Sequence, residues 1–255
     1  MLNKHPALLK KTLSAFAVLI FWIAVWYAAA AIVGYELILP SPLNVIISFG
    51  GLIRGGEIFA AVGASLLRVM IGYTAGVAAG VITALLTDRS AVLRQILAPM
   101  LTVIKSTPVA SFIMLAWMFV GNEKLPILVS FMMVLPIIWQ NTEAGLSAMD
   151  KELSEVAEIY ELKFAKKLRI FIIPSLLSFV IPALITSMGL AWKAGIAAEV
   201  ISHCKNSIGN GIYESKTYLE TPELFAWTAI VIVLSLIIEW LLKLLGRRLM
   251  KFERI

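Results

Sequence analysis

Six long apolar stretches constrain the fold of this chain more than any other feature of its sequence. They cover about residues 12–33, 58–87, 91–120, 125–140, 175–201 and 224–245. An α-helix needs roughly 20 predominantly apolar residues to cross the hydrocarbon layer of a bilayer. Apolar residues make up 60% of the chain and charged residues only 15%. We therefore predict an all-α integral membrane protein with six transmembrane helices, and not the one or two soluble domains that the length alone suggests.

The distribution of lysine and arginine predicts which loops face the cytoplasm, because cytoplasmic loops are enriched in basic residues. With both termini in the cytoplasm, most of the 22 basic residues lie inside, including those of 151–169 and those from Lys243 onward. The predicted outer loops then hold only Arg54, Lys124, Lys205 and Lys216. This arrangement places residues 141–174 in the cytoplasm. It also accounts for the net charge of +6 without a nucleic-acid partner.

The first apolar stretch follows a basic start, as in a signal peptide. Its length of about 20 residues exceeds the roughly 7–15 residues of a cleaved signal core. We therefore expect residues 1–34 to form a cytoplasmic tail and an uncleaved first transmembrane helix, and residues 35–255 to form the membrane core. Two predicted loops of that core are rich in proline or glycine, namely 36–57 and the outer loop that carries His203, Gly209 and Gly211.

Two features inside the predicted helices indicate how they pack and bend. Gly72, Gly76 and Gly80 recur every fourth residue, a pattern that lets a neighbouring helix approach closely. Thr107-Pro108 interrupts the third apolar stretch. Because the residue before a proline is disfavoured in the α conformation, we expect that helix to kink or break within the membrane.

A polar segment, Asn141 to Pro182, lies between two apolar blocks and includes a predicted amphipathic helix that begins after Asp150. Acidic residues recur at every third position along this helix, and none has a basic residue four positions later to pair with. They are Glu152, Glu155, Glu158 and Glu161. Basic residues follow in 163–169. The pattern fits a docking element, and it fits equally an ordinary cytoplasmic loop whose charges keep it in water.

The same segment resembles the cytoplasmic signature loop of ABC importer permeases, E-A-A-x-x-x-G-x(9)-I-x-L-P. Glu155-Val156-Ala157 occupies its opening, and Phe171-Ile172-Ile173-Pro174 lies at the distance of its close. Val156 replaces the second residue, and Glu161 stands where the family usually has glycine. From about Leu37 onward, further segments resemble the nitrate/sulfonate/taurine-type branch of these permeases. They are Leu39–Pro42, Ser65–Val69 with Gly72, Thr107-Pro108 with Gly121, and Ala198-Glu199.

This resemblance implies a type I ABC importer permease core with a cytoplasmic coupling helix. It also implies a bacterial or archaeal plasma (inner) membrane location and import of a small anionic solute such as a sulfonate, nitrate or a taurine-like compound. Lys105, Met114 and Ser207 depart from the branch pattern. Relatives of this branch also import pyrimidines or other vitamin precursors, so the substrate stays open.

The partners that the resemblance implies are a second copy of the chain in a homodimer, cytoplasmic ATPase subunits, and an extracellular or periplasmic substrate-binding protein. ATPase docking falls on seven residues of the signature loop, which are Glu152, Glu155, Val156, Ala157, Glu158, Tyr160 and Glu161. The chain has no G-x-x-x-x-G-K-[ST] loop of its own. We therefore expect ATP and magnesium to bind a separate subunit and this chain to have no enzymatic activity.

No metal-binding or catalytic pattern is present in the sequence. The two histidines are His5 and His203, and the adjacency of His203 to Cys204 is not the spacing of metal ligands. The single cysteine excludes an internal disulfide. We therefore expect no bound cofactor or metal.

Ionisable residues within predicted membrane spans are functional candidates by default. Those of this chain are Arg68, Lys105, Lys193 and Glu199. Trp192 shares a helix face with Glu199 and joins them as a candidate residue of the substrate path. Three of the four ionisable candidates are basic, which favours an anionic substrate. As an alternative, Arg68 and Glu199 lie close enough to a helix end to extend towards the membrane surface.

Two other classes of membrane protein fit parts of the pattern. An ion-coupled secondary transporter is often built from inverted repeats, and the two halves of this chain show no convincing repeat. A membrane anchor of a respiratory enzyme needs paired histidines for haem, which the predicted spans lack. Only the importer hypothesis requires the docking segment.

Overall fold

The computed structural model describes residues 5–148 and 173–252, and every regular element within them is an α-helix. The helices are α1 (His5–Val33), α2 (Pro42–Gly55), α3 (Glu57–Arg89), α4 (Ala91–Ser106), α5 (Val109–Trp117), α6 (Leu125–Ser147), α7 (Ile173–Ser202), α8 (Ile208–Thr217) and α9 (Thr221–Phe252). Five of them are long and apolar enough to cross a membrane. Counting α4 and α5 together as one bent span gives six. The all-α membrane architecture predicted from the sequence is confirmed.

The predicted break of the third span is also confirmed. α4 ends at Ser106, Thr107 is extended with φ −75° and ψ 129°, and α5 begins after Pro108. The axes of α4 and α5 differ by 105°. The extended residue before the proline, together with the missing proline N–H, ends one helix and redirects the chain into the next.

The prediction of a loop over residues 36–57 is wrong, because α2 occupies most of it. The Ser41 hydroxyl accepts a hydrogen bond from the Asn44 backbone N–H at 3.3 Å, and Pro42 lies at the first position of the helix. At the other end, Gly56 adopts a left-handed conformation with φ 77°. Proline and glycine at these positions start and stop a helix, although in the sequence alone they are also typical of a loop.

The outer loop predicted around Gly209 is also wrong in part, because α8 begins at Ile208. The Ser207 hydroxyl accepts a hydrogen bond from the Asn210 N–H at 2.9 Å, which satisfies one of the free donors of the first helical turn. Gly209 lies against the Cβ of Glu199, so close that a side chain at position 209 would collide with it. Here glycine permits close packing and does not form a turn.

The chain divides into two compact units. The first comprises the described residues of Met1–Phe59 together with Gly211–Ile230. Within it, the indole of Trp26 donates to the carbonyl of Pro40 at 3.1 Å, and its ring lies 5.9 Å from that of Phe225. The hydroxyl of Thr221 donates to the carbonyl of Leu37 at 2.9 Å. These contacts join α1, the connection to α2 and the start of α9.

The second unit comprises the described residues of Ala60–Asn210 and Val231–Ile255. Its apolar core includes Leu125 and Val129 of α6 and Ala194 and Ala198 of α7. The face of α3 that carries Gly72, Gly76 and Gly80 packs closely against a neighbouring helix, as predicted, and that helix is α6. A Cβ at Gly76 would lie 2.8 Å from the Cβ of Val134, and the positions of Gly72 and Gly80 are equally close to α6. The predicted division into residues 1–34, as a tail and first transmembrane helix, and residues 35–255, as the membrane core, stays a prediction.

Candidate docking segment and solute path

All seven residues predicted to dock the ATPase lie outside the described residues. The structure does describe the helices on either side of them. α6 ends at Ser147 and α7 begins at Ile173. A Cβ at Gly145 would lie 3.1 Å from a methyl carbon of Leu176, so the end of α6 packs against the start of α7. The segment therefore leaves and re-enters the fold at one end of an antiparallel helix pair.

Polar contacts join the second half of α6 to α3 and α4. Trp139 donates through its indole to the hydroxyl of Thr87 at 2.9 Å. Arg94 and Glu143 form an ion pair at 3.0 Å. These contacts link α3 and α4 to the part of α6 that leads into residues 148–172.

Lys105 lies at the break between α4 and α5, with its side chain exposed. Its ammonium group donates to the Gln140 side-chain oxygen at 2.6 Å. A charge in the hydrocarbon layer costs about 3 kcal/mol or more unless it faces protein or water. The hydrogen bond to Gln140 supplies part of that compensation and adds a further link between α4 and α6.

Glu199 is fully buried and satisfied by several donors. The hydroxyl of Ser65 donates to its carboxylate at 2.7 Å, and the backbone N–H of Gly209 donates at 3.2 Å. A guanidinium nitrogen of Arg68 lies 3.5 Å from the same carboxylate. The structure thus brings two predicted path residues, Arg68 and Glu199, together as an ion pair whose carboxylate is buried and whose guanidinium group is partly exposed.

Arg68 extends this network to the neighbouring turns. It also pairs with Glu123 and donates to the carbonyls of Lys205 at 3.2 Å and Asn206 at 3.4 Å. The thiol of Cys204 lies 3.5 Å from the carboxylate of Glu123, and burial raises the pKa of that thiol to about 12. The network, which we call the Arg68 cluster (Ser65, Arg68, Glu123, Glu199, Gly209), holds the turns after α5 and α7 in place.

A cavity of about 320 Å³ opens between α7 and α9. Lys193, which is exposed, and the neighbouring Trp192 line it from α7, whereas Ser235 and Glu239 line it from α9. Trp192 is buried, and its indole donates to the carbonyl of Val231 at 3.1 Å. The indole therefore fixes the spacing of the two helices at one end of the cavity, while Lys193 faces open space.

The predicted path residues thus fall into three places. Trp192 and Lys193 meet at the cavity, Arg68 and Glu199 pair within the Arg68 cluster, and Lys105 lies at the helix break. The sequence analysis missed Glu239. Glu239 could have been found from the sequence, because it is an acidic residue inside the last predicted span, four positions before Lys243. Intramembrane acids are as informative as intramembrane bases.

Comparison with known proteins places the chain in a family. Residues 76–251, more than half of the chain, match the family described as "Binding-protein-dependent transport system inner membrane component". The chain is 25% identical over 234 residues to the putative aliphatic sulfonates transport permease protein SsuC of Bacillus subtilis, covering 91% of this chain and 84% of that protein. It is 27% identical over 227 residues to the nitrate import permease protein NrtB of Synechococcus elongatus, covering 83% of this chain and 79% of that protein.

A solved structure has the same fold. The chain superposes with a TM-score of 0.65 on a chain from the crystal structure of an amino acid ABC transporter with histidines. The two sequences are 20% identical, and the match covers 78% of this chain and 97% of the other.

Proposed function

The chain belongs to the family of inner membrane components of binding-protein-dependent transport systems, and from this premise we propose that it forms the solute path of an ATP-driven importer for a small anion. Family membership makes the chain a transport permease that works with an ATPase and a substrate-binding protein. In our proposal two copies form a homodimer with both termini in the cytoplasm. ATP and magnesium bind the ATPase subunits and not this chain.

The observation that carries the proposal is the arrangement of α6 and α7 around the 148–172 segment. Both helices reach the same end of the fold, and the segment that resembles an ATPase-docking loop joins them there. The distribution of basic residues favours a cytoplasmic location for that end. An ATPase bound to the segment would therefore act on the two helices that form much of the core.

The contacts near the segment suggest how a movement of the ATPase is passed on. α6 is tied to α3 through Trp139 and Thr87 and to α4 through Arg94 and Glu143. α7 is tied to α9 through Trp192. Displacing the segment would move α6 and α7 together with these attached helices and so change which side of the membrane the cavity faces.

The anionic solute follows from the relatives and from one side chain. The two relatives above are described as permeases for aliphatic sulfonates and for nitrate. Lys193 offers a cation in a cavity within the membrane-spanning part of α7. A cation in that place favours an anionic solute because no described residue forms a hydrogen bond or an ion pair with it.

Co-purification with the ATPase tests this function. We expect wild-type chain to retain the ATPase in detergent and Glu155→Lys to release it, because the reversal puts a repelling charge on the docking helix. Glu57→Lys is the matched control, since Glu57 is exposed in the first turn of α3 and lies on the predicted outer side. Retention of the ATPase by Glu155→Lys, or its release by both variants alike, would remove the docking assignment.

A further inference from the structure

The cavity between α7 and α9 carries charges of both signs at its two ends. Two contacts fix the pairing of these helices, namely Trp192 with Val231 and Ile181 with Gly246, and they show that the helices run antiparallel. Lys193 adjoins Trp192, whose indole reaches the carbonyl of Val231. Glu239 lies eight positions further along α9, which corresponds to about 12 Å at 1.5 Å per residue.

The cation at one end has no partner among the residues that the structure describes. Within residues 5–148 and 173–252, Lys193 takes part in no hydrogen bond or ion pair, although it is in the interior of a membrane span. Such a charge is stabilised when an anionic group binds beside it. The neighbouring Trp192 is buried and hydrogen-bonded, so the wall next to the ammonium group is already in place before any solute arrives.

The anion at the other end is available to a second cation. Glu239 pairs with Lys243 one helical turn away, but both side chains are about half exposed. Exposed pairs of this kind contribute little, so the carboxylate can bind a further ammonium group. Ser235, one turn from Glu239, adds a hydroxyl, and the rest of the lining includes the apolar side chains of Ile185, Met188 and Ile238.

From these features we propose that the cavity is a solute subsite for a small zwitterion, with the anionic group at Lys193 and the ammonium group at Glu239. The aliphatic link between the two groups lies against the apolar lining. This inference rests on the proposed function and specifies its solute further, as an anionic group joined to an ammonium group, because an inorganic anion such as nitrate leaves Glu239 and most of the cavity unused.

Binding to the purified full-length chain in lipid nanodiscs tests the subsite without the substrate-binding protein. The probes are 2-aminoethanesulfonate and ethanesulfonate, which share the sulfonate and the two-carbon chain and differ in the amine. Equilibrium dialysis measures both dissociation constants. We expect the zwitterion to bind about 10- to 100-fold more tightly, the ratio that one hydrogen bond to a charged group supplies.

Three variants separate the contributions. Lys193→Gln should weaken both probes by at least about tenfold, and Glu239→Gln should bring the zwitterion to the level of ethanesulfonate. Gly189→Leu should abolish binding of both, because Gly189 lines the cavity and a Cβ there meets no atom within 4 Å, which leaves room for the added side chain to fill the cavity. Gly63→Leu is the matched control, since position 63 is equally unobstructed and lies outside the cavity.

The proposal is overturned if wild type binds neither probe or binds both equally, or if Lys193→Gln and Gly189→Leu bind like wild type. These results are distinct from failure of the proposed function. A chain that retains its ATPase but lacks this binding pattern is an importer permease without the subsite. A chain that shows the binding pattern but retains no ATPase has the subsite in a transporter of another kind.

Discussion

Replacing Gly76 by alanine tests the close approach of α3 to α6. A Cβ at this position would lie 2.8 Å from the Cβ of Val134 and 2.9 Å from the carbonyl oxygen of Phe131. Both distances are shorter than van der Waals contact, so the two helices must separate to accept the methyl group. We therefore expect Gly76→Ala to destabilise the folded chain.

The magnitude follows from two opposing effects. Overpacking a well-packed core costs about 1–3 kcal/mol, whereas alanine is more favourable than glycine in a helix interior by about 1 kcal/mol. At Gly76 one obstacle is a main-chain carbonyl, which cannot move aside by changing rotamer, so the cost lies in the upper part of its range. The expected net loss of unfolding free energy is about 1–2 kcal/mol.

Gly63 supplies the matched control in the same helix. A Cβ there meets no atom within 4 Å, so Gly63→Ala keeps the helix-propensity gain without a clash. Reversible unfolding in mixed micelles, followed by circular dichroism, measures both variants against wild type. If Gly76→Ala is as stable as Gly63→Ala, α3 and α6 are not close enough for a Cβ at position 76 to collide with Val134.

Three further predictions concern the second unit. Arg68→Gln should lower the free energy of unfolding by about 3 kcal/mol in a thermal melt, because it leaves the buried Glu199 carboxylate without a cation. The double variant Arg68→Gln with Glu199→Gln should recover most of that loss in the same measurement. Trp192→Phe should cost about 1 kcal/mol through the lost hydrogen bond to Val231, whereas Trp240→Phe, at a 61% exposed position, should cost less in the same melt. The pKa of the Cys204 thiol is about 12, so the reactive thiolate is scarce at pH 8 and increases as the pH rises towards 12. After denaturation the pKa of the thiol returns to about 8.5. Maleimide labelling at pH 8, measured by mass spectrometry, should therefore be at least about 1,000-fold slower in the folded chain than in the denatured chain.

The spans, the break at Pro108 and the glycine pattern of α3 were predictable because each depends on local sequence. Apolar length identifies a transmembrane helix, and a proline changes the backbone at its own position and the one before it. The short helices α2 and α8 were missed for a related reason. Proline and glycine mark helix ends as well as loops, and local sequence did not distinguish the two uses at Pro42 and Gly209.

The grouping of the charged residues was not predictable from the sequence. Arg68 and Glu199 are 131 positions apart, and only the packing of α3 against α7 brings them together. Considered one at a time, each looked like a path residue. The cavity was not predictable either, because its lining depends on the packing of α7 against α9, and no local sequence pattern determines which helices pack together. Opposite charges in different spans are therefore best considered as candidate pairs before either is assigned to a path.

Uptake into proteoliposomes tests whether the chain is the permease of an ATP-driven importer. The chain is reconstituted with its ATPase and its substrate-binding protein, and uptake of a labelled sulfonate is measured with and without ATP on the ATPase side. We expect uptake that requires ATP and the binding protein and that stops in Glu155→Lys. Uptake by the chain alone, driven by an ion gradient without ATP, would contradict it and identify a secondary transporter.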